Sequence, residues 1–273
     1  DLFTIIVLKM GVAGAAWATV ISQGVSGLLC LFYMKKKFTV LKMQGDEWRP
    51  HKHSMMMLCG MGIPMGLQYS ITAIGSVILQ TAVNTLGSVA VASVTAGGKI
   101  GTFFCCPFDA MGATMATYGG QNVGAKKLDR ISRGLRDCVL LGAIYSVIAF
   151  VVIYFFSDVI ALLFVDASET EILHNTRTFL LENVSFYFPL ALVNIVRFMI
   201  QGLGYSRLAI LAGVCEMIAR SAVAFWLVPV LGYDGACLAN PAAWIAADLF
   251  LIPAYLHVMK HLKYVVFSSK DVA

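Results

Sequence analysis

Cys138-Val-Leu-Leu-Gly-Ala-Ile-Tyr-Ser-Val-Ile-Ala-Phe-Val-Val-Ile-Tyr-Phe-Phe-Ser157 runs from Asp137 to Asp158 without a charged residue. As a helix such a stretch is about 30 Å long, the thickness of the hydrocarbon layer of a bilayer. The same window, moved outward along the chain, finds six further candidate spans: 12–34, 60–83, 88–118, 178–202, 208–230 and 235–258. The reading is therefore an all-α integral membrane protein with seven transmembrane helices in this chain. The span 88–118 is too long for one straight crossing, and Gly97-Gly98-Lys99 and Pro107 interrupt it. A kinked or partly unwound helix is predicted there, and Pro189 and Pro241 are expected to bend their helices.

Composition agrees. Apolar residues make up 59% and charged residues 13% of the 273, where a soluble domain carries roughly 25% charge. The mean hydropathy is +0.80. A net charge of +5 would suit nucleic acid, but the basic residues are distributed as a membrane topology requires. With the loop 35–53 on the cytoplasmic side, alternation puts fifteen of the 20 Lys and Arg inside, including Lys126, Lys127, Arg130, Arg133, Arg136, Arg207, Lys260, Lys263 and Lys270. Only Lys9 and Arg177 fall outside, and Lys99, Arg197 and Arg220 lie within spans. This predicts a plasma-membrane protein with 35–59, 119–137 and the C-terminus cytoplasmic. None of the seven cysteines forms a C-x-x-C pair, and His51 and His53 have few further ligands near, so neither a disulfide framework nor a metal site is expected. His51-Lys-His53 before Met55-Met-Met-Leu58 reads as an amphipathic segment on the inner surface.

The chain also repeats itself. Gly11-Val-Ala-Gly14-Ala15-Ala-Trp-Ala18 opens the first span and Gly232-Tyr-Asp-Gly235-Ala236-Cys-Leu-Ala239 opens the last, with four identities at one offset of 221 residues. Small residues at this spacing let helices approach closely, and a duplicated unit of that length is the simplest source. The chain starts at Asp1 in an apolar run, without a Met or a charged leader. It is expected to enter near the end of a helix of a longer protein. On this reading 1–34 is the end of an N-terminal bundle, 35–59 a basic linker, and 60–273 a second bundle of six spans with a short tail. Two such halves rocking around a shared site are the pattern of secondary transporters.

Gly11-Val-Ala-Gly-Ala-Ala-Trp-Ala-Thr-Val-Ile-Ser-Gln23, Gly62-Ile-Pro64-Met-Gly66, Gly120-Gln121-Asn122-Val-Gly124-Ala-Lys126-Lys127 and Gln201-Gly202-Leu-Gly204 resemble the multidrug and toxic compound extrusion (MATE) transporters. The resemblance covers the whole chain, from the end of that family's fifth helix. It implies a twelve-helix transporter of two six-helix bundles that moves organic, often cationic, compounds outward in exchange for H⁺ or Na⁺. Its partners would be small organic cations or other amphiphilic solutes and membrane lipid, with no nucleic acid and no cofactor beyond the coupling ion, in a monomer. Several members carry a carboxylate in the helix matching 60–83. This sequence has none there, and Thr72 stands near that position. The tenth-helix equivalent has no acid after Glu182 either. The essential acid of many relatives lies in the first helix of the other bundle.

Ionisable side chains inside a membrane cost roughly 2.5–3.5 kcal/mol on insertion scales, so each is a functional candidate. Glu216 and Arg220 stand one turn apart in mid-span. They are either a structural ion pair or a proton-linked switch. Asp248 has no basic residue one turn away; a partner on another helix, such as Lys99 or Arg220, would make it structural, and without one it is a protonatable site. Asp109, Glu182 and Arg197 are placed nearer span ends, where side chains snorkel. Gln68, Tyr69, Thr72 and Asn194 are the substrate-cavity candidates. Gln68 and Thr72 share a helical face that either lines a cavity or hydrogen-bonds to neighbours. The sequence contains no G-x-S-x-G, H-E-x-x-H or phosphate-binding motif, so neither an enzyme nor an ATP-driven pump is expected. The alternatives are a lipid-linked saccharide flippase of the same superfamily and a seven-helix receptor. The repeat, the start at Asp1 and the 24 glycines weigh against the receptor.

Overall fold

Residues 11–38 and 49–268 are described in the computed structural model, and they are helical almost throughout. The order is α1 (Gly11–Lys37), α2 (Lys52–Asn84), α3 (Ser88–Gly124), α4 (Leu128–Ala161), α5 (Thr170–Ser185), α6 (Tyr187–Gly202), α7 (Ser206–Ala222), α8 (Val228–Leu231), α9 (Tyr233–Cys237) and α10 (Ala239–Ser268). A π-helical turn, Val223–Leu227, joins α7 to α8. No strand occurs among the described residues. Six helical stretches are long and apolar enough to cross a membrane, or seven when the bent pair α5–α6 counts as one span. The chain is an all-helical, multi-pass membrane protein. The expectations about Lys9, Lys42, Lys270 and the entry at Asp1 concern positions outside the described residues.

The chain divides into two units, 1–56 and 57–273. In the first, α1 exposes Val20, Leu28, Leu29 and Phe32 and ends in Lys35-Lys36-Lys37.

In the second unit, glycine sets how closely the helices approach. A Cβ on Gly202 of α6 would lie 2.2 Å from the Ala116 carbonyl oxygen of α3, and one on Gly119 of α3 would lie 2.7 Å from Met199 Sδ of α6. Between α2 and α7, a Cβ on Gly75 would come within 3.1 Å of Met217 Cα. In lipid the helices gain nothing from burying apolar surface, so close van der Waals contact between small residues is what holds them. The core between these backbones is aromatic and branched. Phe108 packs edge-on against Tyr145 and Tyr187, and Tyr187 against Trp244. Large apolar side chains also point outward, among them Phe103, Val147, Phe155, Phe225 and Leu249, as a lipid-facing rim requires.

Helices α2, α3 and α10 run on through Pro64, Pro107 and Pro253, while other prolines stand at helix breaks. The span expected at 178–202 is two helices bent by 53° at Phe186. Pro189 supplies no N–H for the Ser185 carbonyl, and its ring crowds that carbonyl, so the chain turns one residue beyond Ser185. Pro229 likewise withholds an N–H from Phe225, inside the π-helical turn, where Val228 N–H bonds to the Val223 carbonyl instead. Pro241 sits in the first turn of α10, a tolerated position, just beyond the junction where α9 ends and α10 begins.

Three expectations are corrected. First, α3 is not unwound at Gly97-Gly98-Lys99 or Pro107 but is helical throughout Ser88–Gly124. Gly97 serves packing, since a Cβ there would lie 2.5 Å from the Phe179 ring. Unwinding would also leave backbone groups without partners in lipid. Second, residues 119–137 are not a loop. They are the ends of α3 and α4, joined through Ala125–Lys127, with Arg130, Arg133 and Arg136 on the first turns of α4. Lys127 N–H bonds to the Asn122 carbonyl and Lys126 N–H to that of Val123, a Schellman closure with Lys126 left-handed at φ 56°. Third, Met55–Leu58 are not a separate surface segment. They belong to the first two turns of α2, and all four side chains are exposed.

Candidate functional site

Four charged side chains are buried together in the second unit. Arg197 stands ten residues into α6, and Asn194, Arg197 and Gln201 follow at intervals of three and four, so they share one face. On α7, Gly213, Glu216 and Arg220 are spaced in the same way and are all buried. Arg197 Nη2 donates to Glu216 Oε1. Arg220 Nη1 lies 3.6 Å from Glu216 Oε2 and 3.5 Å from the Thr72 carbonyl oxygen of α2. The three charged side chains are at most 8% exposed. Asp248 on α10 is buried as well, within electrostatic range of Arg197, and its Oδ1 has no hydrogen-bond partner.

The pairing follows from local sequence. Gly213 removes the side chain that would hold α2 away from α7: a Cβ there would meet Gln68 Cγ at 3.3 Å and Thr72 Oγ1 at 3.5 Å. The close approach lets Gln201 Nε2 donate to Gln68 Oε1 at 2.7 Å, linking α6 to α2. The stem of Arg220 lies over Gly75 for the same reason. With all four groups ionised the cluster carries no net charge, which is how buried charges are tolerated. Several polar atoms still lack partners, namely Arg197 Nε, Arg220 Nε, Gln201 Oε1, Thr72 Oγ1 and Asp248 Oδ1. The cluster therefore holds more hydrogen-bonding capacity than this state uses.

Of the candidates named from sequence, Glu216, Arg220, Asp248, Gln68 and Thr72 meet here. Gln68 and Thr72 do share a face, and it packs on α6 and α7. Tyr69 is exposed, with Arg197 within electrostatic range. Asn194 is buried and donates to the Leu190 carbonyl of its own helix at 3.3 Å. Lys99, a suggested partner for Asp248, is exposed.

Arg197 is the correction that matters most. It does not snorkel, because the break at Phe186 makes it an interior residue of a shorter helix whose polar face meets Glu216. The spacing Asn194–Arg197–Gln201 inside an apolar run was the available signal. Asp109 is exposed, and Glu182 is half-buried with Oε2 unpartnered. No group of three or more His, Cys, Asp or Glu able to hold a metal occurs among the described residues.

Similarity to known proteins is consistent along the chain. "Probable multidrug resistance protein YpnP" of Bacillus subtilis (strain 168) is 26% identical over 226 residues, 81% of this chain and 47% of its own length. "Probable multidrug resistance protein YoeA" of the same organism is 26% identical over 165 residues, 59% of this chain and 36% of its own length. The chain thus spans less than half the length of either relative. A MATE protein crystallised in complex with MaL6 superposes with a TM-score of 0.88 at 20% identity, over 97% of this chain and 60% of that one, which speaks to the fold. Residues 64–226, more than half of the chain, match the MatE family model, and the chain belongs to the MatE family.

Proposed function

We propose that this chain is the C-terminal portion of a secondary active exporter that moves organic, often cationic, compounds out of the cell in exchange for H⁺ or Na⁺. On this reading α1 closes an N-terminal bundle, the basic stretch 35–59 links the halves on the cytoplasmic side, and 60–273 is the second bundle of a monomeric plasma-membrane protein. Substrate would bind between the bundles. The family and the names of the two bacterial relatives support the transport reading. The observation that carries the coupling is one guanidinium, Arg197, bonded to the buried Glu216 carboxylate with a second buried carboxylate, Asp248, within electrostatic range.

In this scheme Glu216 holds Arg197 while ionised. A proton on Glu216 removes that charge-assisted bond, and Arg197 turns to Asp248, whose Oδ1 is free to accept. Moving Arg197 changes how α6 meets α7 and α10. That gives the bundle two arrangements, which the coupling ion and the substrate bias in opposite senses.

The test is efflux of a fluorescent organic cation by the full-length protein in a pump-deficient host, with Glu216→Gln and Asp248→Asn beside wild type and each ion gradient collapsed in turn. Gradient-dependent efflux by wild type, lost in either well-expressed variant, is the expected result. Efflux that survives both substitutions would move the coupling acid to the other half. A well-expressed wild type that moves no cation under either gradient would transfer the reading to the lipid-linked saccharide flippases.

A further inference from the structure

The turn between α6 and α7 presents a polar site built from residues that the charge cluster does not use. Helix α6 closes with Tyr205 N–H bonded to the Ile200 carbonyl at 3.1 Å and Gly204 N–H to that of Gln201 at 2.9 Å. Gly204, at φ 92°, is the left-handed residue of this closure. The reversal launches the 17-residue α7 from Tyr205, and no side chain caps that end. Leu208 N–H bonds back to the Tyr205 carbonyl at 3.0 Å, so the N–H groups left for a ligand at the positive end of the dipole are those of Ser206 and Arg207.

A second observation points the same way. Ser206 is buried, at 3% exposure, and its Oγ has no hydrogen-bond partner. Buried hydroxyls are rarely left unpaired. Ser206 lines a cavity of about 560 Å³ together with Arg207 and, one turn apart on α10, His257 and His261. The His261 ring stands edge-on to Tyr205, with ring centres 6.3 Å apart. No acidic residue lines the cavity. A hydroxyl, backbone N–H groups, a guanidinium and two imidazoles, with no opposing carboxylate, form a set of donors suited to phosphate oxygens.

We propose that this cavity binds a phosphate group, carried by the headgroup of an anionic phospholipid or as free phosphate. Ser206 and the α7 N-terminus hold one oxygen, Arg207 engages the outer oxygens, and the imidazoles close the far wall.

The test uses the intact protein in a neutral detergent. Its unfolding midpoint is followed while short-chain phosphatidylglycerol, short-chain phosphatidylcholine or inorganic phosphate is titrated in. Ser206→Ala, Arg207→Gln and His257→Gln run alongside, and Arg207 and His257 are exposed enough that their substitution leaves the fold intact. Saturable stabilisation by phosphatidylglycerol, weakened about tenfold or more by Ser206→Ala and by Arg207→Gln, is the expected result for a lipid headgroup. The same dependence on the variants with inorganic phosphate alone assigns the site to soluble phosphate. Equal stabilisation by phosphatidylcholine, or anion binding that neither variant changes, overturns the proposal. So does a wild type that none of the anions stabilises.

Discussion

Arg197 of α6 donates to the Glu216 carboxylate of α7 across an interface where both side chains are almost wholly buried. The relationship crosses two helices and is the main contact of Glu216. The intrahelical neighbour Arg220 stays 3.6 Å away. Buried pairs of this kind add little net stability over an apolar pair, but losing one partner strands a charge.

Arg197→Gln or Glu216→Gln alone is expected to destabilise the protein by about 3–5 kcal/mol. The double variant should recover most of that loss, because no uncompensated partner remains from the pair. Unfolding midpoints in detergent, arranged as a double-mutant cycle, read the coupling directly. Additive losses would show that the two side chains do not depend on each other.

The spans and three of the four buried charges were legible in the sequence, because apolar run length and intramembrane charge are local properties. Arg197 was not. Its depth depends on the break at Phe186, and hydropathy windows merge α5 and α6 into one span. The helical course of α3 was hidden for the opposite reason. Gly97-Gly98 and Pro107 look like breakers in isolation, yet Phe179 fills the space above Gly97, and lipid enforces backbone hydrogen bonding on either side. The tie from Gln68 to Gln201 joins residues 133 apart, which no single-chain periodicity reports.

Gly202→Ala is expected to cost about 1–3 kcal/mol or more. Its new methyl would meet the Ala116 carbonyl oxygen at 2.2 Å, and that oxygen is backbone that cannot swing aside. Gly98→Ala is the matched control on α3, with nothing within 4 Å of the added carbon. It should stabilise by about 0.5–1 kcal/mol through helix propensity. Equal effects at the two positions, measured as shifts in unfolding midpoint, would contradict the close α3–α6 approach.

Lys126→Gly should stabilise the α3–α4 turn by about 0.5–1 kcal/mol. Lys126 is the left-handed residue that closes α3, at φ 56°, and glycine adopts that conformation without a Cβ penalty. Lys126→Ala keeps the penalty and loses the charge, so it should give no such gain. The comparison of the two variants by thermal unfolding separates backbone strain from electrostatics.

Asn183 offers a sharper test because its role depends on a proline elsewhere. Pro241 has no N–H, so the Cys237 carbonyl, four residues earlier, lacks its helical donor. Asn183 Nδ2 reaches that carbonyl at 3.4 Å while also bonding the Phe179 carbonyl at 2.8 Å, and Asn240 Nδ2 donates to Asn183 Oδ1 at 3.2 Å. Asn183→Leu therefore removes a partner from a buried carbonyl and from the Asn240 amide, at an expected cost of about 1–3 kcal/mol. Pro241→Ala restores a backbone donor to Cys237. In that background Asn183→Leu should cost measurably less, leaving mainly the Asn240 contribution. Hydrogen exchange at residue 241 in the Pro241→Ala protein would report the new bond as a protected amide. An undiminished cost with that amide unprotected would mean that Asn183 acts through packing and not through the orphaned carbonyl.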